Sequence, residues 1–342
     1  MSVLDSLSAA DEATAPFTSH DALFDAVLGA DARLVRVVDV DAHEGPVYVA
    51  DEDAFYFTTL PRETGVPAPG FPVVDVKRLA LDGDRFPLET ERIEIVRANA
   101  NAANGMTLGL DGRLLVCEQG TSASPGRIAR VDPVTGHVET VVDGWRGLRF
   151  NSPNDVVTRH DGSIWFTDPS YGHLQGFKPE PLVGDYVYRY DPRTDRVSVV
   201  ADSFEKPNGL AFSPDERVLY VGDSGANQER GSFYPKLPHH IVAFDVSDGR
   251  RLVNSRLFAV TAPGFPDGIK VDSEGRVYAS SFGGVQVFSP EGDLIGEINL
   301  PGAVNFAFGG AERNVLFITA DSAIWAAVLN ATGPEFRPRK EA

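Results

Sequence analysis

The stretch Lys206-Pro-Asn-Gly-Leu-Ala-Phe-Ser-Pro-Asp215-Glu-Arg-Val-Leu-Tyr-Val-Gly-Asp223 decides the fold, because its pattern recurs along the whole chain. A polar anchor, Asn208, opens an apolar run; a turn containing Pro and Asp follows; a second apolar run then carries Leu219. The same order appears from Glu44, Asn104, Asn154, Asp267 and Asn305. Eleven residues after each of the six anchors stands a large apolar side chain: Phe55, Leu115, Trp165, Leu219, Tyr278 and Leu316. Anchors are separated by 60, 50, 54, 59 and 38 residues, so the variation belongs to loops. The apolar runs are β-branched and aromatic, as in Ser163-Ile-Trp-Phe-Thr167, and Asp-Gly or Glu-Gly precedes several of them, which is hairpin chemistry. A third run per unit ends in an Asp-containing turn, as at Ile128–Pro133, Tyr188–Pro192 and Ile241–Asp245.

Six antiparallel units of this size predict an all-β fold, a six-bladed β-propeller spanning residues 33–332. The rival is a β-solenoid, whose repeats are generally shorter and more uniform. The run from Arg33 to Val40 is expected to complete the last blade and remove a free sheet edge. Residues 1–32 read as a tail with one short amphipathic helix near Asp21–Leu28, and 333–342 as an unstructured end. Pro61–Pro72 and Gly225–His240 exceed the repeat and are expected to be loops near one rim.

Composition narrows the function. With 31 Lys+Arg against 49 Asp+Glu the formal charge is −18, which argues against a nucleic-acid partner and against an anionic membrane surface. No run approaches the ~20 apolar residues of a membrane span. The first 32 residues carry six acids, no Lys or Arg and no signal-like apolar stretch, so the expected location is cytoplasmic. The single cysteine, Cys117, excludes an internal disulfide and a cysteine-based zinc site; on an apolar strand it reads as a buried small residue.

In a propeller the innermost strand of each blade borders the central channel, so the anchors are expected to form one ring. Two carboxylates and four amides then converge. Close carboxylates repel unless protonated or bridged by a cation, and this oxygen set suits Ca²⁺, Mg²⁺ or Mn²⁺. A lone Asn-Gly is more simply a turn. Six oxygen-bearing anchors at one offset, with a glutamate where turn chemistry does not favour it, favour ligation. Gly222-Asp-Ser-Gly225 is too short a match to make Ser224 a nucleophile, and no Gly-x-Ser-x-Gly elbow occurs. His43-Glu44 lacks the second histidine of a zinc helix, and His239-His240 reads as solvent-exposed.

At these residues the chain resembles the gluconolactonase, regucalcin and senescence-marker-protein family of six-bladed propellers. The matching stretches are Glu44–Val49, Asn151-Ser-Pro-Asn-Asp-Val-Val157, Phe166-Thr-Asp-Pro-Ser-Tyr-Gly172, Lys206–Asp215 and Pro266-Asp-Gly-Ile-Lys-Val-Asp272. The resemblance covers about residues 35–330 and is nearest the bacterial gluconolactonase branch. It implies metal ligands at Glu44, Asn154, Asn208 and Asp267, and one divalent ion, Ca²⁺ first, with Mg²⁺, Mn²⁺ or Zn²⁺ as alternatives. It implies hydrolysis of a sugar lactone such as gluconolactone, with Asp267 as general base and Asp223 as a second candidate. Asn104 resembles a channel position touching substrate or its water; Arg149 is a candidate substrate contact, and Tyr171 a wall of the pocket. Asn305 receives no role. The expected partner is a small-molecule lactone, with the chain a monomer or homodimer. The alternatives are an organophosphate or aryl ester hydrolase at the same metal, or a non-catalytic calcium- or ligand-binding propeller.

Overall fold

A computed structural model of the chain describes residues 15–335 except 64–71, 89, 91 and 230. Among the described residues, six antiparallel sheets succeed one another along the chain. Blade 1 contains strands Glu44–Val49, Ala54–Thr58, Val76–Ala80 and Ile93–Arg97; blade 2 contains Ala103–Leu108, Leu114–Glu118, Arg127–Val131 and Val138–Val142. Blade 3 contains Val156–Thr158, Ile164–Asp168, Tyr186–Asp191 and Arg196–Ala201; blade 4 contains Pro207–Phe212, Val218–Asp223, His240–Ser247 and Arg251–Val260. Blade 5 contains Ile269–Val271, Val277–Ser281, Gly284–Phe288 and Leu294–Asn299; blade 6 contains Asn305–Gly309, Val315–Thr319 and Asp321–Val328. Its fourth strand is Arg33–Ala42, from the other end of the chain, which pairs antiparallel with Asp321–Val328 from Arg33↔Val328 to Ala42↔Asp321. Each inner strand touches the next, and blade 6 touches blade 1. The wheel is a closed propeller, and the solenoid alternative is excluded.

The second strand of each blade explains the apolar runs. Side chains alternate across a strand, so Leu114 and Val116 pack toward blade 1 while Leu115 and Cys117 pack toward blade 3. Trp165 and Phe166 divide likewise between blades 4 and 2. Both faces are covered, and the sequence is therefore apolar without alternation. The described core falls into six clusters, one at each blade–blade interface. Phe55, Leu115, Trp165, Leu219, Tyr278 and Leu316, picked out by their common offset, are all at most 1% exposed.

The N-terminal segment departs from the tail reading over its described part. Phe17–Ser19 adds a fifth strand to blade 5 by pairing with Leu294–Asn299. The expected helix is present as Leu23–Leu28; it buries Phe24 and Val27 among Ile295, Ile298, Leu316 and Ala327 at the blade 5–blade 6 interface. Asn330 closes the seam, donating from its backbone to Val27 and from its side chain to Ala26 at 2.9 Å each. Sequence alone found the helix but missed the strand, because three strand residues lack the length to show periodicity. Residues 1–14 and 336–342, read as ends, lie outside the described residues, as does most of the Pro61–Pro72 loop, whose flanks Arg62–Glu63 and Pro72–Val73 pair as a short ribbon. Among the described residues no helix is long and apolar enough to cross a membrane.

Replacing Phe24 by Ala should remove a fully buried ring from this seam and cost about 3–5 kcal/mol. Equilibrium urea denaturation of the full chain reads this directly; a loss below about 1 kcal/mol would show that the segment is an ornament on the wheel.

Candidate active site

The anchors sit where each inner strand begins, and local backbone irregularity aims them. In blade 2, Ala103 faces Glu118 and Met106 faces Val116, so Asn104 and Gly105 together oppose one residue. In blade 4 the pairs Pro207↔Asp223 and Leu210↔Val221 leave Asn208 and Gly209 in the same position. Blade 1 is bulged just after Glu44. Such bulges re-aim a side chain out of the normal pleat, here toward the channel.

The ring is tight. A Cβ at Gly209 would strike the Asp267 carbonyl oxygen, and one at Gly105 would strike the Asp155 carboxylate, so glycine after those anchors lets the neighbouring blade approach. The amide of Gly105 donates to the carbonyl of Asn154 at 2.8 Å, and that of Gly209 to the carbonyl of Asp267 at 3.0 Å. Hydroxyls from the second strands tie the blades further: Thr58 Oγ1 donates to Asn104 O at 3.2 Å, Thr167 Oγ1 to Asn208 O at 2.8 Å and Thr319 Oγ1 to His43 O at 2.7 Å. Ser280 Oγ accepts from the amides of Asp267 and Gly268. These four hydroxyls stand thirteen or fourteen residues after an anchor, a signal that repeat alignment of the sequence contains.

Glu44, Asn154, Asn208 and Asn305 are buried, Asp267 and Asn104 half-buried. Glu44 and Asp267 lie against each other, and the Asn208 amide reaches Asp267. A third carboxylate, Asp155, is buried beside them and bears electrostatically on both; in the sequence nothing marks it beyond its place in the Asn-Asp pair. Burial raises all three carboxyl pKa values, and the Asp267 charge raises that of Glu44 further. Lys270 pulls Asp155 back toward ionisation, and His43 does the same for Glu44. Crowded carboxyl groups whose charges repel one another are the setting in which a bridging cation would offset the repulsion. Asn104 Oδ1 is buried at this mouth without a hydrogen-bond partner, an oxygen left open to a ligand. No group of three His, Cys, Asp or Glu suited to a metal occurs among the described residues, so any ion here depends on amide oxygens as well as Glu44 and Asp267, hard donors that suit it.

Tyr171 lies in the short helix Tyr171–Leu174 with its phenol near Ser224, Asn208 and Asp267, and burial raises its pKa well above the usual tyrosine value. Ser224 donates its hydroxyl proton to the Pro266 carbonyl, which leaves it no nucleophilic role. Asp223 is not free to act as a base. Its carboxylate accepts the amides of Glu205 at 3.0 Å, Lys206 at 2.9 Å and Gly225 at 3.1 Å, at the entrance to the blade 4 inner strand. Asp168 does the same for Asn151 and Ser152 one blade earlier, which marks both as supports for the turn before the anchor. Arg149 also stands apart from the ring. It is exposed on a two-residue strand and lines a cleft of about 80 Å³ with Lys178, His173 and Ser152. A larger cleft, of about 630 Å³, lies between the outer hairpins of blades 3 and 4 at the opposite end from the anchors and contains none of them. The Gly225–His240 loop, as expected, lies on the anchor rim, since it joins the second and third strands of blade 4; there Phe233 packs on Phe282, which also meets Phe265, with centroids 5.2 and 5.5 Å apart.

The sequence model of the SMP-30/gluconolactonase/LRE-like region matches residues 42–322, which contain every anchor. The chain belongs to this family. Among its relatives, a gluconolactonase of Zymomonas mobilis is 32% identical over 316 residues, covering 89% of this chain and 83% of that protein. A lactonohydrolase of Aspergillus oryzae, oryL, is 31% identical, covering 85% of this chain and 69% of that protein. The solved structure of a gluconolactonase from Xanthomonas campestris superimposes with a TM-score of 0.73 at 32% identity, over 93% of this chain and 96% of that one. A calcium-binding regucalcin from Agrobacterium tumefaciens shares the fold, with a TM-score of 0.66 at 17% identity over 90% and 97% of the two chains.

The family chain's own charges predict a pH effect. Because the folded-state pKa values of Glu44 and Asp267 lie above their unfolded values, the folded protein holds protons that the unfolded chain releases. Ion-free protein should therefore lose stability as pH rises from the ordinary carboxylate range toward neutrality. Thermal melts in chelator between pH 5 and pH 8 (roughly the span of that titration) should show the midpoint falling, and Glu44→Gln should flatten the slope.

Proposed function

We propose that this protein is a divalent-metal-dependent lactonase that opens a sugar lactone of the gluconolactone type to its aldonic acid. The observation that carries the proposal is the buried contact of Glu44 with Asp267, beside Asn208, two carboxyl groups and an amide converging where their charges repel. The relatives named gluconolactonase and lactonohydrolase support the reaction, and the calcium-binding regucalcin supports the kind of ion. Glu44, Asn154, Asn208 and Asp267 would hold the ion, Ca²⁺ in the first instance. When bound, it supplies Lewis acidity toward a lactone carbonyl.

The side chains supply the rest. Asp267, at the half-exposed edge of the ring, is the carboxylate that can take a proton from water as it adds to the carbonyl carbon. The ring C–O bond then breaks, and the leaving alkoxide oxygen takes up a proton to become the hydroxyl of the open acid. Tyr171, kept neutral by burial beside Ser224 and Asn208, is placed to donate a hydrogen bond to a substrate oxygen. Asn104 Oδ1, an unpartnered acceptor, suits a substrate hydroxyl, and this favours a hydroxylated lactone over an apolar one. Arg149 is retained only as a contact for a substrate that reaches the rim. A single buried cysteine and a small-molecule substrate fit a cytoplasmic enzyme acting as monomer or homodimer.

Titration of acid release at constant pH, over a panel of aldonolactones, aryl esters and a fluorophosphate, tests the reading. Chelator should abolish lactone opening and one or more divalent ions should restore it; full activity in chelator sinks the proposal. Asp267→Asn and Glu44→Gln should each lower kcat/KM on the best lactone by about 10²-fold or more, with the fold intact by circular dichroism.

A further inference from the structure

We propose that Asn305, held by Lys270, is a positioning residue that fixes which oxygen of Glu44 faces the ion; this rests on the metal-site reading above. The orientation of the Asn305 amide is forced by its neighbours. Asn305 Oδ1 lies 2.8 Å from the backbone nitrogen of Phe306 and 3.3 Å from Lys270 Nζ. Both neighbours are donors without a lone pair to offer, so only the amide oxygen can face them. The amide nitrogen must then point the other way, and it meets Glu44 Oε2 at 2.8 Å. A flipped side chain would set oxygen against carboxylate and NH₂ against two donors.

Glu44 Oε2 also accepts the amide of Gly45 at 3.1 Å. Two donors therefore occupy one carboxylate oxygen and leave Oε1 as the open one, so Glu44 is held as a one-oxygen ligand. Lys270 is steadied in turn by the carbonyl of Ile269 at 3.1 Å. Lys270, Asn305 and Glu44 come from blades 5, 6 and 1, so the chain of bonds crosses the seam where the wheel closes. The amide at position 305 accepts from the ammonium and donates to the carboxylate in one side chain, which an ionised Asp or a Leu there cannot do. Partners that orient a ligand in this way typically change metal affinity by about 10–100-fold when removed.

Lys270 makes the proposal decidable by sign. As a bare positive charge beside the site it would repel a cation, so its loss would tighten binding; as the clamp on Asn305 its loss weakens binding. The experiment is calorimetric titration of the full chain, stripped by chelator, with Ca²⁺, Mg²⁺, Mn²⁺ and Zn²⁺ each alone. Asn305→Leu should weaken binding of the preferred ion by about 10–100-fold, Lys270→Met should weaken it by a smaller factor, and Lys270→Arg, which keeps a donor, should restore most of the affinity. If Asn305→Leu does not fold, judged by circular dichroism, the Lys270 pair carries the test, since that side chain is only half-buried. Unchanged affinity in Asn305→Leu, or tighter binding in Lys270→Met, overturns the proposal while leaving the metal site standing. A flat titration of the unsubstituted protein overturns the metal reading and this inference with it.

Discussion

The pairing of Arg33–Ala42 with Asp321–Val328 is the constraint on which the rest depends. Without it blade 6 would end in an open edge and the wheel would be an arc. An arc does not bring its first and last inner strands together. Glu44, on the first blade, and Asn305, on the last, are hydrogen-bonded only because the ring closes, and the Thr319 hydroxyl bridging to His43 lies on the same seam. The closing strand itself packs Val37 and Val38 onto the blade 6–blade 1 cluster, so closure is held by apolar burial as well as by its ladder.

A closed ring also explains how like charges can be held together. Glu44 and Asp155 are buried and Asp267 half-buried beside them, an arrangement that disfavours folding when all three are ionised. Six interfaces of aliphatic and aromatic side chains offset that cost from outside the channel. Each anchor is fixed by its own blade's bulge or turn and by hydroxyl or carboxylate supports such as Thr58, Thr167, Asp168 and Asp223. The ring is therefore rigid, while the loops of the same rim are free to differ among relatives of one fold.

The repeat made much of this legible. A recurring offset identified six buried side chains, Phe55 to Leu316, because a strand covered on both faces has to be apolar wherever it recurs. It identified the six anchors for the same reason, since equivalent positions in a wheel share one mouth. Resemblance to the family then proposed four of the six as ligands, and two of these, Glu44 and Asp267, lie in contact. Where the repeat was silent, the reading faltered. The segment Phe17–Leu28 packs on blade 5 although it belongs to no repeat unit. The amides that the Asp223 carboxylate accepts leave no trace in a sequence, nor does the two-residue hairpin that carries Arg149.

The sequence by itself determined the number of blades, the strand that closes them, and the residue types facing the channel, all of which follow from periodicity and chemistry along the chain. Only the tertiary structure decided which groups meet across blades: that Asp155 joins the two anchor carboxylates, that Lys270 opposes Asp155, and that Asn305 has its amide turned toward Glu44. The physical reason is sequence separation. Lys270, Asn305 and Glu44 are joined by bonds a few ångströms long, yet residues 44 and 305 are 261 apart in the chain, and no local pattern records a hydrogen bond that only closure creates.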